Sequence, residues 1–285
     1  MSESVPSVRA QAASSAIDTS KPSVPRIYDA LLGGKNNYQA DRAEASKLES
    51  FAPEASALAR ANRAWLGRAV RFLAGEARSR GAVAQFLDLG SGLPGADNTH
   101  EIARRSAHQA KVVYVDRDPV VAAHSRALLE DEEVSWFAEA DFSDVGAVLA
   151  DPVVTAHLDF TQPVSVILCL ALHHLSDEQD PHGVLAGYVE AIPSGSMIAL
   201  THLHDPGEAN PETSEIAKKV HAMFAGGATG TGYVRTGAEI TRFFDGLELV
   251  DPGLVPITDW WPDGPVRESV GNIGELILGG VARKP

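Results

Sequence analysis

The sequence has 285 residues, of which 44% are hydrophobic and 6% aromatic, and its formal net charge is −14 at pH 7. Such a chain can bury a large core, as one α/β domain with an appended segment. The acidic balance, without any run of Lys or Arg, argues against nucleic acid or an anionic membrane as partner. Cys169 is the only cysteine, which excludes an internal disulfide and favours a cytoplasmic location.

The N-terminal part divides into a tail and a helical segment. Residues 1–21 are rich in Ser and Ala and lack the apolar core of a signal peptide, so we expect a disordered tail. Residues 22–80 are predicted to form a helical lid or cap. In this segment a short helix is broken by Gly33 and Gly34, and helical spacing follows over 41–48 and 55–74.

Strands and helices alternate over residues 81–285, the predicted core domain. Apolar runs predict strands at 83–89, 111–115, 134–140, 164–170, 196–202, 247–250 and 275–282. Helical spacing predicts helices at 98–109, 119–130, 144–150, 182–191, 211–224 and 236–246. Residues 206–236 interrupt this rhythm and are expected to form an insertion on the substrate side. Repeated βα units predict a Rossmann-like, mostly parallel sheet with helices on both faces, which binds ligands at the carboxyl ends of its strands.

Three acidic residues end the first three predicted strands. Asp88 precedes the turn Gly90-Ser91-Gly92, whose glycines let the backbone approach a ligand closely. Its negative charge disfavours a pyrophosphate and favours a cationic, amine-bearing ligand. Asp116 is suited to the hydroxyls of a ribose, and Asp141 would accept from an adenine amino group. This combination predicts a site for S-adenosylmethionine.

Other interpretations of the same residues stay open. Gly90-x-Gly92-x-x-Gly95 has the spacing of a dinucleotide-binding turn, and Asp116 would suit a nicotinamide cofactor. That alternative, an NAD(P)-dependent oxidoreductase, would put Asp88 near phosphates and leave Asp141 without a role. The glycines could also form structural turns only. A further alternative is an S-adenosylmethionine-binding regulator or scaffold without turnover.

The chain resembles class I S-adenosylmethionine-dependent methyltransferases. More narrowly, it resembles an actinobacterial group first catalogued as a domain of unknown function and renamed S-adenosyl methyltransferase. The resemblance covers about residues 22–285 and rests on these motifs: Arg26-x-Tyr28-Asp29-x-x-Leu32-Gly33-Gly34-Lys35-x-Asn37, Ala61-Asn62-Arg63-Ala64 with Ala69-Val70-Arg71, Asp88-Leu89-Gly90-Ser91-Gly92-Leu93-Pro94 with Asn98-x-His100-Glu101, Tyr114-Val115-Asp116-Arg117-Asp118-Pro119 and Leu172-His173-His174. It implies a seven-stranded sheet with an antiparallel last strand.

Methyl transfer by direct displacement would need a bound methyl donor and no metal, with S-adenosylhomocysteine as product. Arg63, or else Arg26 or Lys35, would pair with the carboxylate of the donor. The predicted lid would place glycines, a tyrosine and an asparagine over the bound methyl donor. The predicted cofactor-binding residues are Tyr28, Gly34, Asn37, Arg63, Asp88, Gly90, Gly92, Asp116, Arg117, Asp141, Phe142 and Leu170.

Histidines at two strand ends are the candidate bases. His173 and His174 follow the strand at 164–170, and His202 ends the strand at 196–202. A histidine near its ordinary pKa can take a proton from an acceptor. Adjacent residues leaving a strand point in opposite directions, so at most one of His173 and His174 faces substrate. A purely structural role is the alternative for each. A metal pair is disfavoured because no third ligand has suitable spacing.

Aromatic and apolar residues of the irregular segments are the candidates for acceptor recognition, although such residues also pack under loops. They are Tyr38, Met223, Phe224, Tyr233, Trp260 and Trp261. Together with the acidic charge they favour a small aromatic acceptor, of the indole or phenol type, from specialised (secondary) metabolism. The sequence leaves open the acceptor, the methylated atom and the oligomeric state, for which a homodimer is one option.

Overall fold

A computed structural model describes residues 18–95, 97–129, 133–261 and 270–285. Most of the predicted tail, residues 1–17, lies outside this description. The described residues contain ten α-helices: α1 (Val24–Leu31), α2 (Gln39–Glu49), α3 (Ala55–Ser79), α4 (Thr99–Ser106), α5 (Pro119–Leu128), α6 (Val145–Ala150), α7 (Pro152–His157), α8 (Pro181–Ala191), α9 (Pro211–Phe224) and α10 (Gly237–Thr241). None of them combines the length and apolarity that crossing a bilayer requires.

Nine strands form one sheet with a seven-strand row. They are β1 (Gln85–Leu89), β2 (Lys111–Asp116), β3 (Ser135–Glu139), β4 (Ser165–Cys169), β5 (Met197–Asp205), β6 (Arg235–Thr236), β7 (Glu248–Leu249), β8 (Val255–Pro256) and β9 (Ile277–Arg283). The row has the order β3-β2-β1-β4-β5-β9-β7, while β6 and β8 pair with β5 and β9. Strands β1 to β5 are mutually parallel, and β9 runs antiparallel to β5 and β7. The predicted fold class is confirmed.

The sheet is buried on both faces. Phe86 of β1 belongs to a hydrophobic cluster that also contains Trp65 of α3, whereas its neighbour Leu87 belongs to the cluster that contains Tyr188 of α8. Alternate side chains of a strand point to opposite faces, so α3 and α8 cover opposite faces of the sheet. Helix α3 thus shares a core with the strands, and the domain boundary at residue 80 stays a prediction.

The order of the strands creates a crevice between β1 and β4. From β1 the chain moves outward to β2 and β3, then returns to place β4 on the other side of β1. The connections leave the carboxyl ends of these two strands in opposite directions, and an open space forms there in doubly wound sheets. Asp88 belongs to β1, and Leu170 directly follows β4.

Residues 145–157 form two short helices where the sequence analysis predicts one. The side chain of Asp151 accepts a hydrogen bond from the Val153 backbone N–H, and Pro152 occupies the first position of α7. An acidic cap followed by proline is a favourable helix start, so a second helix begins where the first ends.

Candidate active site

A cavity of about 930 Å³ opens at the carboxyl ends of the central strands. Its walls come from the turn after β1, the ends of β2 to β5, and helices α1, α3 and α9. The glycine-rich loop at 225–232 contributes Ala228, Thr229, Thr231 and Gly232. Residues from most of the chain therefore meet at the point where the sheet topology predicts ligand binding.

The turn after β1 depends on two glycines. Gly90 and Gly92 have φ of +65° and +68°, values that favour glycine. A Cβ on Gly90 would lie 3.1 Å from the Cβ of Ala171, whereas one on Gly92 would meet no atom within 4 Å. The Gly92 N–H donates to Asp116 Oδ2 at 2.9 Å, which fixes the turn against the end of β2.

Asp88 is buried beneath this turn. Thr99 Oγ1 donates to its Oδ2 at 2.7 Å. Burial raises the pKa of Asp88 to about 6, against the opposing effects of Thr99 and of the nearby Arg63 guanidinium. The carboxyl group is therefore poised to become ionised near neutral pH and would be stabilised by a cation.

The acids that end β2 and follow β3 are held differently. Asp116 accepts from the backbone N–H groups of Gly92 and Asp118, each at 2.9 Å. Its burial raises its pKa. Partial burial of Asp141 opposes ionisation, but hydrogen bonds from Ser143 and Arg117 outweigh it and lower the pKa of Asp141. Arg117 Nη1 lies 2.6 Å from Asp141 Oδ2. Phe142, next in sequence, also lines the cavity.

Arg63 is the cation best placed for a carboxylate. It lines the cavity, lies near Gly95, and influences the pKa of Asp88. Within the described residues its guanidinium has no hydrogen bond or ion pair. Arg26, by contrast, is buried and paired with Asp41 at 3.1 Å. A guanidinium left unpaired in a partly enclosed site can form a bidentate contact with a carboxylate ligand.

Helix α1 and its following turn border the cavity through Tyr28 and Gly34. Tyr28 Oη donates to the Ala59 carbonyl at 3.1 Å and accepts from Asn62 Nδ2 at 3.0 Å. A Cβ on Gly34 would clash with the Asp29 carboxylate. Asn37 does not line the cavity: its Nδ2 donates to Asp29 Oδ2 at 2.7 Å, which holds the turn in place.

The end of β4 turns sharply to bring two histidines to the cavity. Leu170 has a φ of +52°, uncommon for a residue other than glycine, and a short 3₁₀-helix, Leu172–His174, follows. His173 and His174 both line the cavity, with ring centroids 4.0 Å apart. Burial lowers the pKa of His174 to about 4 and that of His173 well below its ordinary value. Both rings are therefore neutral at pH 7, and the expectation of a histidine near its ordinary pKa is wrong for this pair, because burial disfavours the charged ring.

Thr231 determines which nitrogen of His174 carries the proton. Its hydroxyl donates to the His174 carbonyl at 2.8 Å and lies 3.0 Å from His174 Nδ1. A hydroxyl has one proton to donate, so here its oxygen accepts from Nδ1–H. The Nε2 atom of His174 then carries the lone pair, which is the form required of a base.

His202 is placed unfavourably for a base. It is fully buried, does not line the cavity, and burial lowers its pKa to about 3. Its Nδ1 lies 2.7 Å from the Leu203 carbonyl, and Arg235 Nη1 donates to its Nε2 at 3.0 Å. With both nitrogens engaged, this ring has no free lone pair for a substrate proton.

Among the six residues predicted to recognise the acceptor, only Phe224 lines the cavity. Trp260 is fully buried, with its ring 5.8 Å from that of Trp65, and Trp261 is 44% exposed on its outer side. Tyr38 lies under the guanidinium of Arg26. Met223 is buried in the core, and the ring of Tyr233 packs on His221. These five side chains have packing partners away from the cavity.

Several residues of the site escape the sequence analysis. Thr231 lies in a glycine-rich loop, where one hydroxyl gives no recognisable pattern. Asn62 lines the cavity, and its Oδ1 is buried without a hydrogen-bond partner among the described residues. The sequence could have indicated Asn62, because helical spacing puts it on one face of α3 with three other residues that line the cavity, Ala55, Leu58 and Leu66.

The cavity fits S-adenosylmethionine chemically. Ser91 and His173 line it, although the Ser91 hydroxyl and His173 Nδ1 are themselves buried, without a hydrogen-bond partner among the described residues. Two carboxyl groups, of Asp88 and Asp116, and the guanidinium of Arg63 border this space. These features define a Rossmann-like protein with a methyl-donor type of site.

Comparison with known proteins agrees with this class. The family model described as S-adenosyl methyltransferase matches residues 10–285. A candidate methyltransferase of Thermobifida fusca is 41% identical over 94% of this chain and 96% of its own, with a TM-score of 0.83. A DUF574 family protein of Streptomyces avermitilis is 36% identical over 94% of this chain and 99% of its own, with a TM-score of 0.84. No curated protein matches this sequence.

The chain belongs to the S-adenosyl methyltransferase family. It is an S-adenosylmethionine-dependent methyltransferase, as the motifs of the sequence indicate. The alternative of an NAD(P)-dependent oxidoreductase loses its support. A methyltransferase explains the family, the fold and the presence of Asp141 after β3 without a nicotinamide cofactor.

Proposed function

We propose that this enzyme methylates a small molecule by direct displacement, with the flat indole- or phenol-type compounds of specialised metabolism as the first acceptors to screen. One observation carries the proposal: the cavity is bounded by helices α1, α3 and α9, and it continues beyond the strand-end acids. A bounded cavity of this kind is typical of sites for small ligands.

When bound, S-adenosylmethionine supplies an activated methyl group. In our proposal Asp88 holds its ammonium, Arg63 its carboxylate, and Asp116 its ribose. The glycine turn provides close backbone approach, and Asp141 and Phe142 border the adenine. Leu170 and the walls of α1 exclude water. Orientation of this kind can lower a barrier by about 7–11 kcal/mol, so the enzyme needs little other chemistry.

His174 is the proposed base where the acceptor must lose a proton. Its Nε2 lone pair is set by Thr231, but burial lowers its pKa to about 4, so it contributes less than the factor of about 10²–10⁴ typical of a base with a pKa near the working pH. His173 lies beside it at the cavity wall. A soft nucleophile that needs no base would leave both histidines as binding residues.

Titration calorimetry with S-adenosylhomocysteine tests the donor site directly. We expect binding by the wild type and its loss in Asp116→Ala, because Asp116 both braces the glycine turn and faces the proposed ribose. Asp144→Ala, which removes only the cap of α6, is the control and should bind normally. Equal affinity in wild type and Asp116→Ala would contradict the proposed site.

The regulator or scaffold alternative predicts a closed or polar-blocked space beside the donor. The aliphatic lining of the cavity next to the donor half favours turnover over that alternative. Once an acceptor is found in a screen, the release of S-adenosylhomocysteine with that acceptor distinguishes the two functions. A protein that binds the donor but shows no turnover across the screen would favour the regulator.

A further inference from the structure

The strand order divides the cavity into two halves. The acids at β1, β2 and β3 lie to one side of the crevice, whereas β4, β5 and β9 lie to the other. The wall near β4, β5 and β9 carries aliphatic side chains beside the neutral rings of His173 and His174, and helices from both ends of the chain contribute to it. We call this half the apolar chamber, lined by Leu31, Leu48, Leu58, Ala59, Val220 and Leu276.

The charged groups that line the cavity are concentrated in the donor half. Among the described lining residues, the charged ones are Asp29, Arg63, Asp88, Asp116, Arg117, Asp118 and Asp141. All but Asp29 and Arg63 belong to or follow β1, β2 and β3, and Arg63 lies between the halves, near enough to act on both Asp88 and Cys169. The Asp29 carboxylate accepts from the Asn36 N–H and Asn37 Nδ2, so it is committed to its own turn. The six residues that define the apolar chamber are therefore all uncharged, and Asp29, the charged lining residue of α1, is held by its own turn.

Polar groups near the chamber are uncharged. Asn62 and His173 line the cavity, and each has a buried polar atom without a partner among the described residues: Oδ1 of Asn62 and Nδ1 of His173. Burial, with further contributions from neighbouring groups, lowers the pKa of His173 well below its ordinary value, so its ring carries no charge. Neither side chain supplies a charge that could pair with an ionised group of an acceptor.

We propose that the apolar chamber selects an electrically neutral acceptor with a largely apolar body and excludes anionic and cationic ones. This inference rests on the proposed function, since it specifies the acceptor of that same site. Moving an ionised group from water into the chamber would sacrifice its hydration without a paired charge in return. A neutral apolar body gains from the removal of its surface from water.

Two fluorescent probes of nearly the same shape test the selection. N-phenyl-1-naphthylamine is neutral, and 8-anilinonaphthalene-1-sulfonate adds one sulfonate to the same framework. With wild-type protein saturated by S-adenosylhomocysteine, we expect the neutral probe to bind at least about tenfold more tightly, because the sulfonate loses its hydration. Equal or tighter binding of the sulfonate would overturn the proposal.

Variants locate the probe. Val220→Trp places a large side chain in the chamber from α9, and Ala59→Phe does so from the facing helix α3. We expect each to weaken binding of the neutral probe at least about tenfold, since each fills space that the probe would occupy. The matched controls Ala222→Trp and Ala64→Phe add the same side chains at exposed positions of the same two helices and should bind the probe normally.

Titration with S-adenosylhomocysteine separates the two possible failures. A variant that still binds it is folded at the donor site, so its probe affinity is informative, and two independent pairs guard against one misfolded variant. If filled and control variants bind the neutral probe alike, the chamber is not its site and the inference is wrong. If the wild type fails to bind S-adenosylhomocysteine, the proposed function is wrong instead, and the filled and control variants, compared without it, still test whether the neutral probe binds in the chamber.

Discussion

Single residues control the protonation of this site. Asp88 has a pKa of about 6 because it is buried, and in our proposal it must be ionised to hold an ammonium group. Protonation as the pH falls below 6 removes its charge, so donor affinity should fall with pH, by at most about tenfold per unit.

The affinity of S-adenosylhomocysteine, measured by calorimetry between pH 5 and 8, checks this expectation. Asp88→Asn should bind more weakly at pH 8 and show a flatter pH dependence. Any remaining slope belongs to Asp116, whose pKa is also raised by burial. An unchanged pH profile in Asp88→Asn would remove Asp88 from the donor site.

Thr231 provides a second residue-scale prediction. Thr231→Val removes the oxygen that accepts from His174 Nδ1–H, so the ring should lose its preference for the Nδ1–H tautomer. Thr231→Ser keeps that oxygen and should preserve the preference. Imidazole ¹⁵N chemical shifts distinguish the two tautomers without requiring an acceptor. Identical spectra for Thr231→Val and wild type would show that the loop does not set the tautomer.

At the scale of elements, two glycines in the turn after β1 distinguish the cost of a positive φ from the cost of steric crowding. Gly90→Ala and Gly92→Ala both force an alanine to a positive φ, at a cost of about 1–2 kcal/mol. Only Gly90→Ala also brings a Cβ to 3.1 Å from Ala171. Urea unfolding should therefore show a larger loss in the free energy of unfolding for Gly90→Ala. Equal losses in the free energy of unfolding would mean that the segment at Ala171 moves away from the added Cβ at little cost.

Helices α1 and α2 are joined through one buried carboxylate. Asp41 pairs with Arg26 and accepts from the backbone N–H groups of Ser23, at 3.0 Å, and Tyr38, at 2.8 Å. Asp41→Ala leaves Arg26 buried without its partner, which costs about 3–5 kcal/mol. In contrast, Glu139→Gln breaks an exposed pair with Arg126 and should cost under about 1 kcal/mol.

Hydrogen exchange shows which helices and strands lose stability in Asp41→Ala. Amides of α1 and α2 should exchange faster, while those of β1 and β4 should change less, since the opposite face of these strands belongs to a cluster without residues of α1 or α2. Uniform acceleration across the sheet would instead indicate that the N-terminal helices and the strands unfold together.

Across the whole molecule, the cavity connects segments that are far apart in sequence. Residues of the segments 28–34 and 228–232 line it. We expect S-adenosylhomocysteine to slow hydrogen exchange in both segments at once, because a ligand that contacts both stabilises both. Helix α7, which contributes no residue to the cavity, provides an internal reference. Protection confined to one segment would place the ligand away from the other.

The sequence predicted the fold and the donor half better than the acceptor half, for a physical reason. Asp88, Asp116 and Asp141 end or follow apolar strands, and parallel strands bring their carboxyl ends together, so local patterns specify a shared location. The acceptor half depends on tertiary packing. From the sequence, Trp260 resembles a ligand-stacking residue, but in the structure it packs against Trp65 of α3. His202 resembles a base, but Arg235 donates a hydrogen bond to its Nε2.

The position of β9 sets a constraint on synthesis. The ribosome releases β5 well before β9, yet β9 supplies the interior partner that joins β5 to β7. Until Ile277–Arg283 emerges, the growing polypeptide carries a sheet with an open, apolar edge at β5, the kind of edge to which other chains pair and aggregate. Translational pausing within residues 206–276 would prolong that exposure. The nascent enzyme should therefore depend on chaperones most during this interval, before any methyl donor can bind a finished sheet.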